Sequence, residues 1–140
     1  MKIIALIFTM LMFGITTKAQ LAVGEKVPEF TLKDQNGNVF NSTSVIGKEI
    51  VIIYFYPKDD TPGCTKEACS FRDSYQGFTD AGVKVIGISA DDVASHKKFA
   101  QKYNLPFTLL ADVENKVRHA FGVKADLFGL LPGRVTFVVD

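Results

Sequence analysis

Two cysteines, Cys64 and Cys69, are the only thiols among 140 residues, and they stand five positions apart. Cys64 closes the run Pro57-Lys58-Asp59-Asp60-Thr61-Pro62-Gly63-Cys64, directly after the β-branched and aromatic stretch Ile50 to Tyr56. Thr61 is a good helix N-cap, Pro62 suits the first helical position, and apolar residues then recur at helical spacing. Cys64 is therefore predicted in the first turn of a helix. There the unpaired backbone N–H groups and the positive end of the helix dipole favour thiolate over thiol and activate the sulfur as a nucleophile. The chemistry this points to is thiol redox catalysis.

The spacing of the pair adds a conformational condition. An apolar stripe runs Cys64, Ala68, Phe71, Tyr75, Phe78 in steps of four and three, so Cys64 is expected on the inward face of a helix reaching about Phe78. Five residues at about 100° each turn Cys69 roughly 140° from that stripe and put the two Cα atoms about 8–9 Å apart in an intact helix. A disulfide tolerates only about 7 Å, so joining the pair requires the helix start to unwind.

Two blander uses of the cysteines stay open at this stage. One is a structural disulfide, the usual state of cysteine pairs in exported proteins. It fits poorly, because a loop of about six residues restricts the unfolded chain by only roughly 2 kcal/mol, against about 4.7 for a 100-residue loop. The other is metal binding, for which the spacing lacks the tighter C-x₂-C of common zinc motifs and His96 and His119 are distant in sequence.

An apolar content of 47% is enough for one domain with a real core. Residues 1–19 are set apart from it as a signal peptide: Met1-Lys2, an apolar run from Ile3 to Ile15, then Thr16-Thr17-Lys18-Ala19 as a small-residue cleavage site. The run is short for a membrane span and no cysteine follows the cut to accept a lipid, so no stable membrane anchor is expected. A soluble exported protein, in a bacterial periplasm, is the expectation. Sixteen basic and fifteen acidic residues are interspersed, without the basic patch that a nucleic-acid partner would need.

The remaining elements must position the helix that carries Cys64. Phe30 to Lys33 and Val39-Phe40 flank an Asn-Gly turn signal and read as a hairpin. Glu49 to Tyr56 and Val83 to Ser89 are nearly continuous apolar strands of the doubly buried kind. Asp91 or Asp92 can cap a helix to Tyr103, Phe107 to Leu110 is a third short strand, and Asp112 to Phe121 is predicted as a helix with Val113, Val117 and Phe121 on one face and Gly122 as its stop. Arg134 to Val139 is a last strand. Such alternation predicts a three-layer α/β domain with a parallel or mixed central sheet over residues 20–140, with Cys64 in the crevice outside the carboxyl end of a central strand.

At this point the chain resembles the peroxiredoxins, and within them the bacterioferritin-comigratory or PrxQ-type group. The resemblance rests on Gly24-Glu25-Lys26-Val27-Pro28-Glu29-Phe30, Tyr54-Phe55-Tyr56-Pro57, Thr61-Pro62-Gly63-Cys64-Thr65, Glu67-Ala68-Cys69-Ser70-Phe71-Arg72-Asp73, Leu105-Pro106-Phe107, and Arg134 before Thr136-Phe137. It covers essentially all of residues 20–140. It implies a thioredoxin-like fold and reduction of hydrogen peroxide or organic hydroperoxides, reset by a thioredoxin-like dithiol reductant. Cys64 matches the family's peroxidatic cysteine and Cys69 the resolving cysteine of the subgroup. Thr61 would hydrogen-bond the reacting oxygen and sulfur, Pro57 would shield the site from water, and Arg134 would hold the thiolate and polarise the peroxide. Thiolate attack develops charge on the leaving oxygen, which a cation and fixed N–H or O–H donors stabilise. The sulfenic acid formed condenses with a nearby thiol. No metal or organic cofactor is required.

Family members continue past the strand matching Arg134 to Val139 with a further strand and a helix, so the chain reads as C-terminally truncated, and a monomer or weak dimer is expected. Asp59 and Asp60 would oppose thiolate formation unless turned to solvent. Arg72 reads as a supporting salt-bridge partner, Phe71, Tyr75 and Phe78 as core, and both histidines as surface. Two competing functions are weighed: an exported thioredoxin-like disulfide reductase, which normally uses C-x-x-C, and a copper-carrying thioredoxin-like assembly factor, which would need His119 beside the cysteines.

Overall fold

The computed structural model describes residues 18–126 and 131–140, so most of the expected signal peptide, residues 1–17, lies outside the described residues. The chain opens with the hairpin β1 (Thr31–Asp34) and β2 (Val39–Asn41), turned by Gly37 in a left-handed conformation at φ +83°. β3 (Ile50–Phe55) leads into α1 (Pro62–Asp73), α2 (Tyr75–Asp80) and β4 (Val83–Ser89). Then come α3 (Val93–Tyr103), β5 (Thr108–Ala111), α4 (Lys116–Ala120), the two-residue strands β6 (Ala125–Asp126) and β7 (Leu131–Pro132), and β8 (Val135–Val139).

One mixed sheet orders these strands β2-β1-β5-β4-β3-β8. β3, β4 and β5 run parallel, while β8 lies antiparallel beside β3 and β1 antiparallel beside β5. The pleat divides the core. Val51, Ile53 and Phe55 point to one face, with Ile86, Ile88, Val117 and Phe121, while Ile52 and Tyr54 point to the other, with Val85, Leu109, Cys64, Ala68 and Phe99. Helices α1, α2 and α3 cover the second face, and α4 with the N-terminal segment covers the first, giving the three-layer thioredoxin-like arrangement with a mixed sheet.

Two helices differ from their expected extents. The helix read through to Phe78 breaks at Ser74, whose backbone N–H donates back to Ser70 and Arg72 carbonyls in a tightened last turn. The stripe survives the break, because Phe71, Tyr75 and Phe78 all pack against the same core. The helix read as Asp112 to Phe121 contains only Lys116–Ala120. Asn115 adopts a left-handed conformation at φ +55°, and the buried Asp112 carboxylate accepts from the backbone N–H groups of Val117 and Arg118, so the preceding residues form its capping turn. Val113, expected on the apolar face, is consequently 59% exposed.

Candidate active site

Cys64 sits in the first turn of α1, at the carboxyl end of β3, with 2% of its surface exposed. The sheet brings its counterpart from the other end of the domain. β8 pairs with β3 in a register that sets Val135 opposite Phe55, so Arg134, one residue before β8, emerges level with the Tyr56-Pro57 end of β3. Arg134 Nη2 donates to Cys64 Sγ at 3.2 Å across 70 positions of sequence. Its Nη1 pairs with the Glu67 carboxylate, one helical turn beyond Cys64. Glu67 went unassigned in the sequence; its i+3 spacing from Cys64 was the available signal. Gly63 makes this approach possible, since a Cβ there would stand 3.3 Å from Arg134 Nη2.

The segment from Pro57 to Thr61 is held from several sides. Pro57 is half-buried in the bend after β3. Asp59 is buried, where it accepts from Tyr56 Oη at 2.7 Å and Ser95 Oγ at 2.8 Å and bonds His96 Nδ1 at 2.8 Å. His96 Nε2 donates to the Leu110 carbonyl at 3.1 Å. His96 is thus fully buried and ties the loop to α3 and β5, which overturns its surface assignment; an isolated histidine in sequence does not reveal that two elements supply partners for both ring nitrogens. Asp59 is likewise not turned to solvent; its carboxylate is met by the Tyr56 and Ser95 hydroxyls and lies against the His96 ring. Asp60 does face solvent, where Lys102 Nζ and Tyr103 Oη hold its carboxyl below the ordinary value.

Thr61 occupies the N-cap position but its side chain caps nothing; Oγ1 donates to the Lys58 carbonyl at 2.9 Å. Its one proton being committed, the hydroxyl can only accept toward the site. Beneath α1, Tyr54 stacks on Tyr56 at 5.3 Å and on Phe71 at 4.7 Å. Its Oη is buried without a hydrogen-bond partner, and burial raises its pKa far above the ordinary phenol value. Burial likewise raises that of Tyr56, with the Asp59 carboxylate adding to it.

Cys69 is half-buried on the intact α1, and both thiols are free. Helix geometry keeps the two Cα atoms about 8–9 Å apart, beyond the span of a disulfide. Arg72 pairs with Asp73 and donates to the Tyr103 carbonyl at 2.8 Å, a supporting contact of the expected kind. His119 is exposed on α4. Asp59, Asp91 and His96 approach one another closely enough to share a cation, but their ligand atoms are engaged in the hydrogen bonds just described and in that from Ser89 Oγ to Asp91. What the arrangement can do is hold an anionic sulfur beside a guanidinium and at a helix N-terminus, where charge moving onto a second atom would still be met by N–H donors.

Residues 23–140 match the model of the AhpC/TSA family. The chain belongs to the AhpC/TSA family. It is 58% identical over 126 residues to a chloroplastic peroxiredoxin Q of Gentiana triflora, covering 90% of this chain and 58% of that relative. A chloroplastic peroxiredoxin Q of Arabidopsis thaliana is 60% identical over 122 residues, covering 87% of this chain and 56% of the relative. The chain thus spans less than two thirds of these relatives' length. Among solved structures, peroxidoxin BcpB from Mycobacterium tuberculosis superposes with a TM-score of 0.76 at 40% identity, covering 84% of this chain and 77% of that one. A Xanthomonas campestris bacterioferritin comigratory protein, described for alkyl peroxide reduction activity, gives a TM-score of 0.71 at 34% identity over 78% of this chain and 72% of that one. The peroxiredoxin resemblance of the PrxQ type and the thioredoxin-like fold hold. No helix among the described residues is long and apolar enough to cross a membrane.

Proposed function

We propose that this AhpC/TSA-family chain is a thiol peroxidase in which the Cys64 thiolate attacks the O–O bond of a hydroperoxide. The contact that carries the reading is the 3.2 Å donation from Arg134 Nη2 to Cys64 Sγ. The sulfur takes one oxygen and becomes a sulfenic acid; the O–O pair leaves on the distal oxygen, which takes up a proton and departs as water or an alcohol. Arg134 stabilises the thiolate before attack and the developing oxyanion during it. Thr61 Oγ1, which can only accept toward the site, receives the peroxide's O–H and orients the oxygen for in-line attack. Pro57 walls the entrance against water, and Glu67 fixes the rotamer of Arg134.

Resolution follows by attack of the Cys69 thiol on the sulfenic sulfur, forming the disulfide and releasing water. The intact α1 holds the pair too far apart for this, so the first turns of the helix unwind before closure. A thioredoxin-like dithiol then reduces the disulfide by exchange. The substrates are hydrogen peroxide and organic hydroperoxides, a class consistent with the alkyl peroxide activity of the Xanthomonas relative, and the working form is a monomer or weak dimer. Residues 1–19 support export, as far as a bacterial periplasm, and residues 20–140 form the catalytic domain. The test is peroxide consumption with a generic dithiol: Cys64→Ser abolishes it, and Cys69→Ser reacts once and stalls as the sulfenic acid or a mixed disulfide. Full turnover by Cys64→Ser overturns the proposal.

A further inference from the structure

We propose that Arg118, which takes no part in the bond changes, is a positioning residue that sets the distance between the two chain segments meeting at Cys64. The inference rests on the peroxidase reading above. Arg118 is buried, with 4% of its surface exposed, on the face of the sheet opposite α1. Its Nη1 donates to the Gly133 carbonyl at 2.6 Å and its Nη2 to the Tyr56 carbonyl at 3.0 Å. Gly133 immediately precedes Arg134, and Tyr56 immediately precedes Pro57. One planar fork therefore grips the two backbones at the points where the Arg134 side chain and the Pro57–Thr61 loop depart toward the sulfur.

The position of the clamp along the sheet explains why it is needed. The β3–β8 ladder ends at the pair Phe55 and Val135. Beyond it both strands offer carbonyls, which cannot bond one another, so a donor with two divergent N–H groups is required to keep them together. The guanidinium supplies them from two nitrogens on a rigid planar fork, whereas the donors of a lysine ammonium radiate from a single nitrogen on a flexible stem and hold no fixed separation. The fork is itself anchored: the Asp112 carboxylate accepts from the Arg118 backbone N–H at 2.8 Å, and the Asp112 N–H donates to the Ser89 carbonyl at 2.8 Å, at the end of β4. The Gly133 segment has no slack on its other side, because a Cβ there would lie 1.9 Å from the Lys124 carbonyl oxygen. The guanidinium also stands over the Phe55 ring, 5.7 Å from its centroid.

Burying a cation costs free energy, and an apolar side chain of similar volume would fill the space without that cost. What the fork alone supplies is a fixed separation between two loops, and small displacements there are amplified at the reacting atoms, where a misplacement of about 1 Å can cost on the order of 100-fold in rate.

The experiment compares Arg118→Lys, Arg134→Gln and the double variant with wild type. For each, the folded state is verified by circular dichroism and thermal unfolding. Two rates are then measured at the same pH: Cys64 with hydrogen peroxide, and Cys64 with iodoacetamide in a Cys69→Ser background. The expected result is a folded Arg118→Lys whose peroxide rate falls about tenfold or more, with almost no further loss when the same change is made in Arg134→Gln, as for residues acting through one another. Arg118→Gln, neutral and too short to reach both carbonyls, gives the same non-additive loss if Arg118→Lys does not fold. A folded variant within about twofold of wild type, or an equal loss with and without Arg134, overturns the inference. Failure of the peroxidase reading is a separate result: wild type then leaves peroxide unconsumed, while the alkylation rates still report whether Arg118 positions Arg134 over the sulfur.

Discussion

Alanine at position 63 should raise stability and lower reactivity together, a combination that few substitutions produce. Gly63 is the second residue of α1, and its backbone needs no left-handed conformation. Glycine inside a helix costs about 0.5–1 kcal/mol relative to alanine, so Gly63→Ala should stabilise the fold by up to that amount. The new methyl, however, would stand 3.3 Å from Arg134 Nη2, inside ordinary contact distance, and that nitrogen is the one donating to Cys64 Sγ at 3.2 Å. With Pro62 on one side and the helix on the other, the guanidinium is the partner that yields, by a few tenths of an ångström. A hydrogen bond to a charged group contributes about 1.5–3 kcal/mol, and losing roughly half of it, about 1 kcal/mol, slows attack about fivefold. Urea unfolding and stopped-flow peroxide reduction measure the two quantities, with Gly63→Ala in an Arg134→Gln background as the control that should show no rate effect. A more stable Gly63→Ala protein with an undiminished rate would refute the placement of Arg134 against this turn of α1.

Tyr54→Phe removes a buried, unpartnered hydroxyl while keeping the stacking on Tyr56 and Phe71, so it should stabilise the reduced protein by about 1 kcal/mol or more. Because Phe71 of α1 covers that ring, unwinding of α1 would wet the hydroxyl, and its loss should slow Cys64–Cys69 closure about fivefold and raise the sulfinic acid seen by mass spectrometry at high peroxide; a destabilised variant refutes this. Tyr54 and Tyr56 are both held protonated by burial above the ordinary phenol value of 10.0. Their contribution is whole below about pH 10; above it the unfolded chain releases protons that the folded one keeps, and stability falls by up to about 1.4 kcal/mol per pH unit for each phenol. Urea unfolding between about pH 9 and 11 should show that slope roughly halved in Tyr56→Phe, and an unchanged slope contradicts it.

Much of the framework was legible because it is local. Nearly continuous apolar runs marked β3 and β4, Asp91 or Asp92 marked the start of α3, where Asp92 is the cap, and the Asn-Gly signal marked the first hairpin. The errors arose where a side chain answers to a distant partner. Thr61 resembles a cap in sequence, yet its proton goes to Lys58; Asp112 resembles the first residue of a helix, yet its carboxylate caps from outside. His96 resembles a surface residue of an amphipathic helix until Asp59 and Leu110 meet it from two other elements.

The sequence by itself singled out the sulfur that the proposed reaction uses and the helix start that it would have to unwind. The helix start at Pro62, the inward stripe from Cys64 and the five-residue step to Cys69 follow from backbone geometry over one helix, and periodicity reports such short-range geometry directly. Only the tertiary structure decided which charges stand at that sulfur. Arg134 reaches it because β8 runs antiparallel beside β3 in one register, and Arg118 grips both segments because the ladder ends at Phe55 and Val135, before Tyr56 and Gly133 are reached. Register and ladder length are properties of strands whose paired residues, from Phe55 with Val135 onward, lie far apart in sequence, set by the packing of a shared core, and no local pattern of residues encodes them.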